Sequence, residues 1–462
     1  MLNKLILFLL PSLLCGCFVN IPFQYTDIVQ TENSLPKFQK LTKDNNIIYQ
    51  SSFGSPRQLG MTSTSFIVLN SYDDIFEDQI PGKAGVDVQR ANYHELPADF
   101  LGAPVGHKPL QIKGRIVHGS KKAIIIIHGI FFSKRTYFLK EYVRVAQEQG
   151  FSVVSIDMRG HGESLSSEMS VGIYEALDLC YLAKRLKSDY GIEYVGLIGF
   201  SLGAHTTIRA MYESSQEAAL SGNAPIIDAG VAISPPCDMV KAFDDLKQHG
   251  FGRTTSNFFH GLFLSRIEAL RESKFIQQDI QINEFDEYIN QIILPRYQAN
   301  RNATKSDENL QFLREKIYGE EYKYLDQKTQ EYISKFKSMK NHKDLLREAS
   351  THDLLPKIKL PLLIIHAQDD TTIDVQHIYE AADIINKQKL NNIMAIVVPD
   401  GGHISLHHVD PNWTYSTVYG FHHYCAGISP QNFKPIREVS SLWYYFDRVL
   451  YPSQLSLSWT LF

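Results

Sequence analysis

Six short runs of almost uninterrupted apolar residues constrain this chain more than any other feature. They are KAIIII (122–127), FSVVSID (151–157), YVGLIGF (194–200), IIDAGVAIS (226–234), PLLIIHA (361–367) and NIMAIVV (392–398). A strand with one face in water alternates apolar and polar residues, so a strand without alternation is covered on both faces. Segments with helical spacing lie between the first runs: TYFLKEYVRVAQEQ at 136–149, the stretch 171–189, and the SLGAHTTIRAM segment that starts at 201. Such alternation predicts an α/β fold, a mostly parallel central sheet flanked by helices on both faces. LQIKGRIVHG at 110–119 reads as a further strand with partial alternation, and FIVLN at 66–70 can form another.

With 462 residues, the chain can bury a large core or hold two to three domain-sized units. Its formal net charge of −4 gives no general attraction to nucleic acid, and no nucleic-acid partner is expected. The basic pairs Lys134-Arg135 and Lys184-Arg185 read as solvated faces. Residues 235–359 have helical patterns rich in charge and aromatic side chains. That is too long for an ordinary crossover, and it reads as a large helical cap or lid insertion. A helical domain unrelated to any site is the alternative. The expected layout is a signal segment at 1–17, then an N-terminal extension with possible first strands at 18–107. An α/β core at 108–234 and 360–410 is split by the cap, and a C-terminal extension follows at 411–462. The aromatic tail WYYFDRVLYPSQLSLSW is expected to pack on the core.

Gly199-Phe200-Ser201-Leu202-Gly203 is a G-x-S-x-G pentapeptide. Alone it is weak, since chance produces it in roughly one chain in ten of this length. Its context is stronger: an apolar strand ends at the serine and a helix begins there. Gly199 and Gly203 permit a sharp strand-to-helix turn that raises the hydroxyl at the C-terminal edge of the sheet. The turn also places Ser201 at a helix N-terminus, where free N–H groups favour developing negative charge. Serine is a poor nucleophile at neutral pH and needs a base.

The base should lie late in the chain on a loop. His403 follows Gly401-Gly402 directly after the strand IMAIVV. His205 lies on the emerging helix and is expected to pack there, and His366 lies inside a strand as a satisfied buried histidine. His407 and His408 have no strand end to fix them. Asp369-Asp370 close the strand PLLIIHAQ, and Asp370 is the candidate for the acid that orients the imidazole. The other carboxylate would hold the loop, and a turn that merely has two acidic residues is the alternative. Backbone N–H groups of Leu202 and of Ile130, in the loop His128-Gly129-Ile130-Phe131, are the candidate oxyanion donors. The His128 side chain is expected to bond to backbone and shape that loop.

These residues resemble the α/β-hydrolase superfamily. The strings IIIIHGIF, SIDMRGHGES, GLIGFSLGAH, LPLLIIHAQDD and PDGGHIS carry the resemblance over residues 108–410. Within it the chain is most similar to the YheT-like esterase branch. That likeness rests on the long helical segment before the acid strand, the tract Phe285-Asp286-Glu287-Tyr288, and Ser350, Leu354, Ile358 and Pro361 on the approach to the strand. The resemblance implies a serine hydrolase acting on acyl esters without a cofactor, with Ser201, Asp370 and His403 as catalytic residues. It also implies that Asp157, Arg159, Gly160 and Gly162 shape the pocket rim. Acyl transfer or thioester cleavage at the same triad is the alternative activity, as is an inactive lipid-anchored binding protein on the same scaffold. Two departures stand out. Thr371 follows the acidic pair where the family has proline, and Phe131 and Phe132 occupy a loop that usually carries small or polar residues.

The N-terminus reads MLNKLILFLLPSLLCGCFVN, with an apolar stretch from Leu5 to Leu14 of signal-peptide type. Leu14-Cys15-Gly16-Cys17 resembles the lipobox of bacterial lipoproteins. That resemblance implies cleavage before Cys17, lipidation of Cys17, and membrane attachment through this anchor in the bacterial cell envelope. Phe18, and not Asp, follows Cys17, which points to the outer membrane facing the periplasm or the surface. Plain secretion is the alternative. Cys180, Cys237 and Cys425 remain, too few and too scattered for a disulfide framework, and no Cys/His spacing suggests a metal.

Overall fold

The apolar runs become the inner strands of a nine-stranded sheet. The computed structural model describes residues 29–30, 94–96, 101–105, 108–164, 168–247, 254–272, 274–299, 322–398, 401–409, 411–429, 432 and 434. The signal-type segment with Cys17, the FIVLN stretch at 66–70 and the aromatic tail at 443–459 lie outside the described residues.

The strands are β1 (Val29–Gln30), β2 (His94–Glu95), β3 (Leu101–Val105), β4 (Lys108–Gln111), β5 (Lys113–Val117) and β6 (Lys122–Ile127). They continue with β7 (Ser152–Asp157), β8 (Tyr194–Phe200), β9 (Ala229–Ile233), β10 (Leu362–Ala367) and β11 (Ile393–Val398). The main sheet runs β1-β11-β10-β9-β8-β6-β7-β5-β2, while β3 and β4 form a separate hairpin. Strands β6 to β11 are mutually parallel, and β1, β2 and β5 add antiparallel edges. Every residue of β7 through β11 is buried, which is why these strands show no alternation. β5, near an edge, keeps a partial alternation.

Helices α1 (Tyr137–Glu148), α2 (Ile173–Tyr190) and α3 (Leu202–Ser221) make the first crossovers. Between β9 and β10 come α4 (Met239–Leu246), α5 (Thr254–Glu272), α6 (Phe285–Tyr288), α7 (Leu294–Ala299), α8 (Lys323–Ser338) and α9 (His342–Ala349). After β10 follow α10 (Gln376–Lys387), α11 (Leu406–Val409) and α12 (Pro411–Cys425). Arg209 on α3 ties down the last part of the insertion. Its guanidinium donates to the carbonyls of Glu348 (2.7 Å) and Ala349 (2.9 Å) and to the Tyr332 hydroxyl (3.2 Å). Tyr332 and Tyr324 in turn donate to the two oxygens of Glu213 on α3, at 2.5 and 2.8 Å.

Parallel register brings several strand ends to one edge. Ile127 of β6 pairs with Gly199 of β8, and Phe200 pairs with Ile233 of β9. Ile233 pairs with Ile365 of β10, and Ala367 pairs with Val398 of β11. The loops after β6, β8, β10 and β11 therefore leave the sheet on the same side, where ligands of open α/β sheets bind.

One member of the basic pair Lys134-Arg135 departs from its expected place in solvent, while the Arg135 side chain stays partly exposed. The Lys134 side chain is fully buried, with its ammonium 2.5 Å from the equally buried Asp157 carboxylate and also bonded to Glu163. The Lys134 N–H donates to the other Asp157 oxygen at 2.7 Å. Lys134 thus fastens the loop after β6 to the end of β7. Cys180, Cys237 and Cys425 are free thiols. Among the described residues, no helix is long and apolar enough to cross a membrane.

Candidate active site

Ser201 alone connects β8 to α3, and its backbone shows the strain of that abrupt turn. Its φ of 53° and ψ of −117° lie in a region that side chains rarely adopt. Two bonds hold it there: the Ser201 N–H donates to Ile233 O on β9 (2.9 Å), and its carbonyl accepts the His205 N–H (3.0 Å). The flanking glycines are required by contact and not by φ. A Cβ on Gly203 would lie 2.6 Å from Ile127 O and would also overlap His128 O. A Cβ on Gly199 would overlap the Gly203 carbonyl and the Thr207 hydroxyl. Backbone-to-backbone packing of this closeness seats α3 against β6 and β8, and so fixes where the hydroxyl starts.

The loops after β10 and β11 meet through two carboxylates. Asp370 Oδ2 accepts the His403 Nδ1–H at 2.8 Å. Asp370 Oδ1 accepts the N–H groups of Thr372 (2.8 Å) and Ile373 (2.9 Å), so the carboxylate cannot rotate away. Asp369 Oδ1 accepts the Gly402 N–H at 2.7 Å, which anchors the loop carrying His403. The acidic pair thus divides into one residue that grips the imidazole and one that grips its loop. Burial pushes the Asp370 carboxyl up, but the facing His403, with His366 and the backbone donors, outweighs it and holds the pKa below the ordinary value. With Nδ1 donating to a carboxylate, His403 Nε2 is left as the acceptor. That atom is buried and has no hydrogen-bond partner among the described residues.

His128 closes the third side. The Met158 N–H donates to its Nε2 (3.0 Å), so Nδ1 carries the proton and donates to Gly129 O (2.7 Å). Burial lowers its pKa and keeps the ring neutral, a brace for the loop. The next residues form a turn in which the Phe132 N–H reaches back to Gly129 O at 3.3 Å. Ile130, Ser201 and Leu202 line one cavity. Leu202 opens α3, so its N–H has no acceptor within the helix. Thr372 and Ile373, the residues that hold Asp370, line the same cavity. Phe259, also in the wall, lies edge-on to the His403 ring with centroids 6.4 Å apart. The remaining wall is mostly apolar, with Lys247, His260 and Glu284 as its polar members, and comes mainly from the helices between β9 and β10, with Met239, Phe243, Phe263 and Phe285 prominent.

The sequence model of the alpha/beta hydrolase family matches residues 124–416, from the first central strand to α12. The chain belongs to the α/β hydrolase family. A candidate esterase of Synechocystis sp. is 25% identical over 314 residues, 64% of this chain and 73% of that protein. The candidate esterase YheT of Escherichia coli is 24% identical over 284 residues, 61% of this chain and 69% of that protein. Ethanol acetyltransferase 1 of Wickerhamomyces anomalus is 31% identical over a shorter span of 98 residues, 21% of this chain and 23% of that protein.

Within this α/β hydrolase, the other histidines have different surroundings. His205 is buried on α3 and bonds to Pro236 O (3.1 Å), and burial pushes its pKa down to about 3. His407 is buried with its ring beside Phe138 and Tyr142. His366 differs from the fully satisfied histidine expected of its strand. Its Nε2 bonds to Ile373 O (3.0 Å) and lies 3.5 Å from Asp370 Oδ2, while Nδ1 has no partner among the described residues. It is a second imidazole on the same acid, a contact that strand patterning cannot reveal. The rim residues act as supports. Arg159 makes a buried pair with Asp178 at 2.5 Å, and Asp157 holds Lys134. The FDEY tract sends Phe285 into the cavity wall, and Ser350 accepts the Met239 N–H of α4 at 3.0 Å.

Proposed function

We propose that this α/β hydrolase is a serine esterase that cleaves carboxylic esters of apolar acyl groups through an acyl-enzyme. The observation that carries this reading is the buried Asp370–His403 pair. It directs Nδ1 to the carboxylate and leaves Nε2 as the acceptor, with no hydrogen-bond partner among the described residues, on a ring that packs against Phe259 in the wall of the cavity that Ser201 lines. Family membership and the similarity to candidate esterases support it.

In this mechanism, His403 Nε2 takes the Ser201 proton as the hydroxyl oxygen attacks the acyl carbon. The carbonyl oxygen becomes an oxyanion facing the Ile130 and Leu202 N–H groups, which stabilise it by several kcal/mol in such sites, roughly 3–4 per donor. The imidazolium rests against ionised Asp370, then gives its proton to the leaving alcohol. Water enters, His403 removes its proton, and collapse of the second tetrahedral intermediate frees the acid and Ser201. The phenylalanine-rich wall accepts an apolar acyl chain by burying it. The test is covalent labelling by a fluorophosphonate, followed by a panel of p-nitrophenyl esters of graded chain length. Folded S201A that retains full turnover of every ester cleaved by the parent refutes the assignment.

Acyl transfer is the second reading, favoured by the local similarity to an ethanol acetyltransferase. The same acyl-enzyme can pass its acyl group to an alcohol in place of water. Product analysis with and without added ethanol separates the two, since a transferase yields the new ester at the expense of the free acid.

We further propose that Cys17 is lipidated and anchors the enzyme in a bacterial envelope membrane. The reading is supported by the apolar stretch from Leu5 to Leu14 and the Leu14-Cys15-Gly16-Cys17 string. Metabolic labelling with a fatty acid should be lost in C17A. Labelling that persists there removes the proposal.

A further inference from the structure

Phe131 has a backbone conformation that its own side chain disfavours. Its φ is +63°, in the left-handed region. It is the third residue of the turn Gly129–Phe132, closed by the Phe132 N–H to Gly129 O bond of 3.3 Å. Glycine or asparagine is the usual residue where a turn needs positive φ at that place. The preceding residue, Ile130, supplies one of the two proposed oxyanion donors. The bulky, strained residue therefore sits at the joint that sets the course of the oxyanion loop.

A strained conformation persists only where its surroundings enforce it. Around the Phe131 ring, that enforcement comes from the insertion. Its centroid lies 6.1 Å from Phe263 on α5 and 6.2 Å from Phe285 on α6. Those two rings are themselves packed: Phe243 stacks on Phe285 at 4.5 Å and 12°, and Phe263 meets Phe285 edge-on at 5.7 Å. Aromatic pairs at such separations are attractive beyond their buried area.

We propose that Phe131 is a positioning residue, through which the aromatic cluster of the insertion holds the oxyanion loop in its working shape. The proposal rests on the esterase reading above. Removal of the ring releases the loop, and the Ile130 N–H is then no longer held at the oxyanion. A role as mere wall for the acyl chain predicts something different, because a wall acts on the length of the acyl group and not on the conformation of residue 131.

Two substitutions separate these roles. F131A removes the ring but keeps a Cβ, so the left-handed conformation remains disfavoured. F131G removes the ring and the penalty together. The substrate is p-nitrophenyl acetate, whose acyl group is too short to need a distant wall. Positioning predicts that F131A loses about tenfold in kcat with KM altered less than about threefold, and that F131G recovers most of that loss. It also predicts that F263A lowers kcat in the parent but less than about twofold when added to F131G. Equal kcat for F131A and F131G, or losses that appear only in KM and grow with acyl length, overturn the proposal while leaving the esterase reading intact. A folded parent that takes up no fluorophosphonate at Ser201 and turns over no ester overturns both. Thermal melting adds a readout apart from activity: F131G should melt above F131A, and the reverse order counts against strain at this position.

Discussion

Asp370→Asn is the sharpest perturbation of the proposed site, because the structure dictates which way the new amide must face. Asp370 Oδ1 accepts two backbone N–H groups, from Thr372 and Ile373. An asparagine that kept its oxygen toward His403 would point its NH2 at both donors, leaving two buried N–H groups unsatisfied at about 1–3 kcal/mol each. The amide therefore turns its oxygen to the backbone and its NH2 to His403 Nδ1. An imidazole that accepts at Nδ1 carries its proton on Nε2, the wrong tautomer for a base. The negative charge that would stabilise the imidazolium is lost as well. Together these effects should lower kcat/KM by roughly 10³–10⁴, which is about 4–5 kcal/mol of transition-state stabilisation. The fold should survive, since the backbone bonds are kept. The comparison is Asp369→Asn, whose carboxylate bears on the His403 loop through the Gly402 N–H. It should cost about tenfold or less, through a looser loop. Both variants are assayed with p-nitrophenyl butyrate after circular dichroism shows native folding. D370N with more than about a tenth of parental activity, or D369N more damaged than D370N, refutes the assignment of roles within the acidic pair.

Gly203→Ala should destabilise by at least about 3 kcal/mol, since its Cβ meets backbone oxygens of β6 and the following residue, which cannot swing aside. A melting temperature within a degree of the parent would show that α3 is not seated as closely as the structure has it. Lys134→Ala strands Asp157 without its buried ammonium partner. A loss of about 3–5 kcal/mol in urea unfolding is expected, and the double variant K134M/D157L should recover much of it. Acid should act through Asp370, whose folded pKa is lowered with burial opposing and His403 prevailing. A group lowered on folding adds stability above its unfolded pKa, about 3.9 for Asp, and that contribution disappears as pH falls through the lower folded value. The difference in melting temperature between parent and D370N should therefore be full near neutrality and shrink below about pH 4. A difference that grows on acidification contradicts the ion pair.

The sheet was legible because the signal for it is local. Burial on both faces of β7 through β11 favours apolar residues at most positions, and that is visible as almost unbroken runs. The elbow was legible for the same reason: strand, Gly199, Ser201, Gly203 and helix occupy one short stretch, and the close approach to Ile127 O leaves no room for another residue type. The wall of the cavity was legible only in outline. Aromatic residues were evident in 235–359, but which of them face the site depends on how α5 and α6 lie against the oxyanion loop. Phe259 and Phe263 are one helical turn apart, and that spacing is the single local hint that they share a face.

Lys134 shows where local reading fails. A lysine beside an arginine looks the same whether the pair is solvated or one member is buried. What decides is Asp157, 23 positions later at the end of β7, brought alongside when β6 and β7 pair in parallel. Burying a carboxylate at that strand end would be costly without a cation, and burying a lysine would be costly without the carboxylate. Each residue is explained only by the other, so neither carries a signal alone. His366 follows the same logic. Its place in β10 predicts burial, but its contact with Asp370 arises because the loop after the strand folds back, bringing Ile373 O to the same imidazole nitrogen. The consequence bears on the site itself. Asp370 sits between two imidazoles, and only the His403 contact, at 2.8 Å against 3.5 Å, is short enough for a strong hydrogen bond. His366→Phe should therefore leave Ser201 labelling intact and lower ester turnover by less than about tenfold, whereas His403→Ala should abolish both. If His366→Phe proves as damaging to labelling as His403→Ala, the base has been assigned to the wrong histidine.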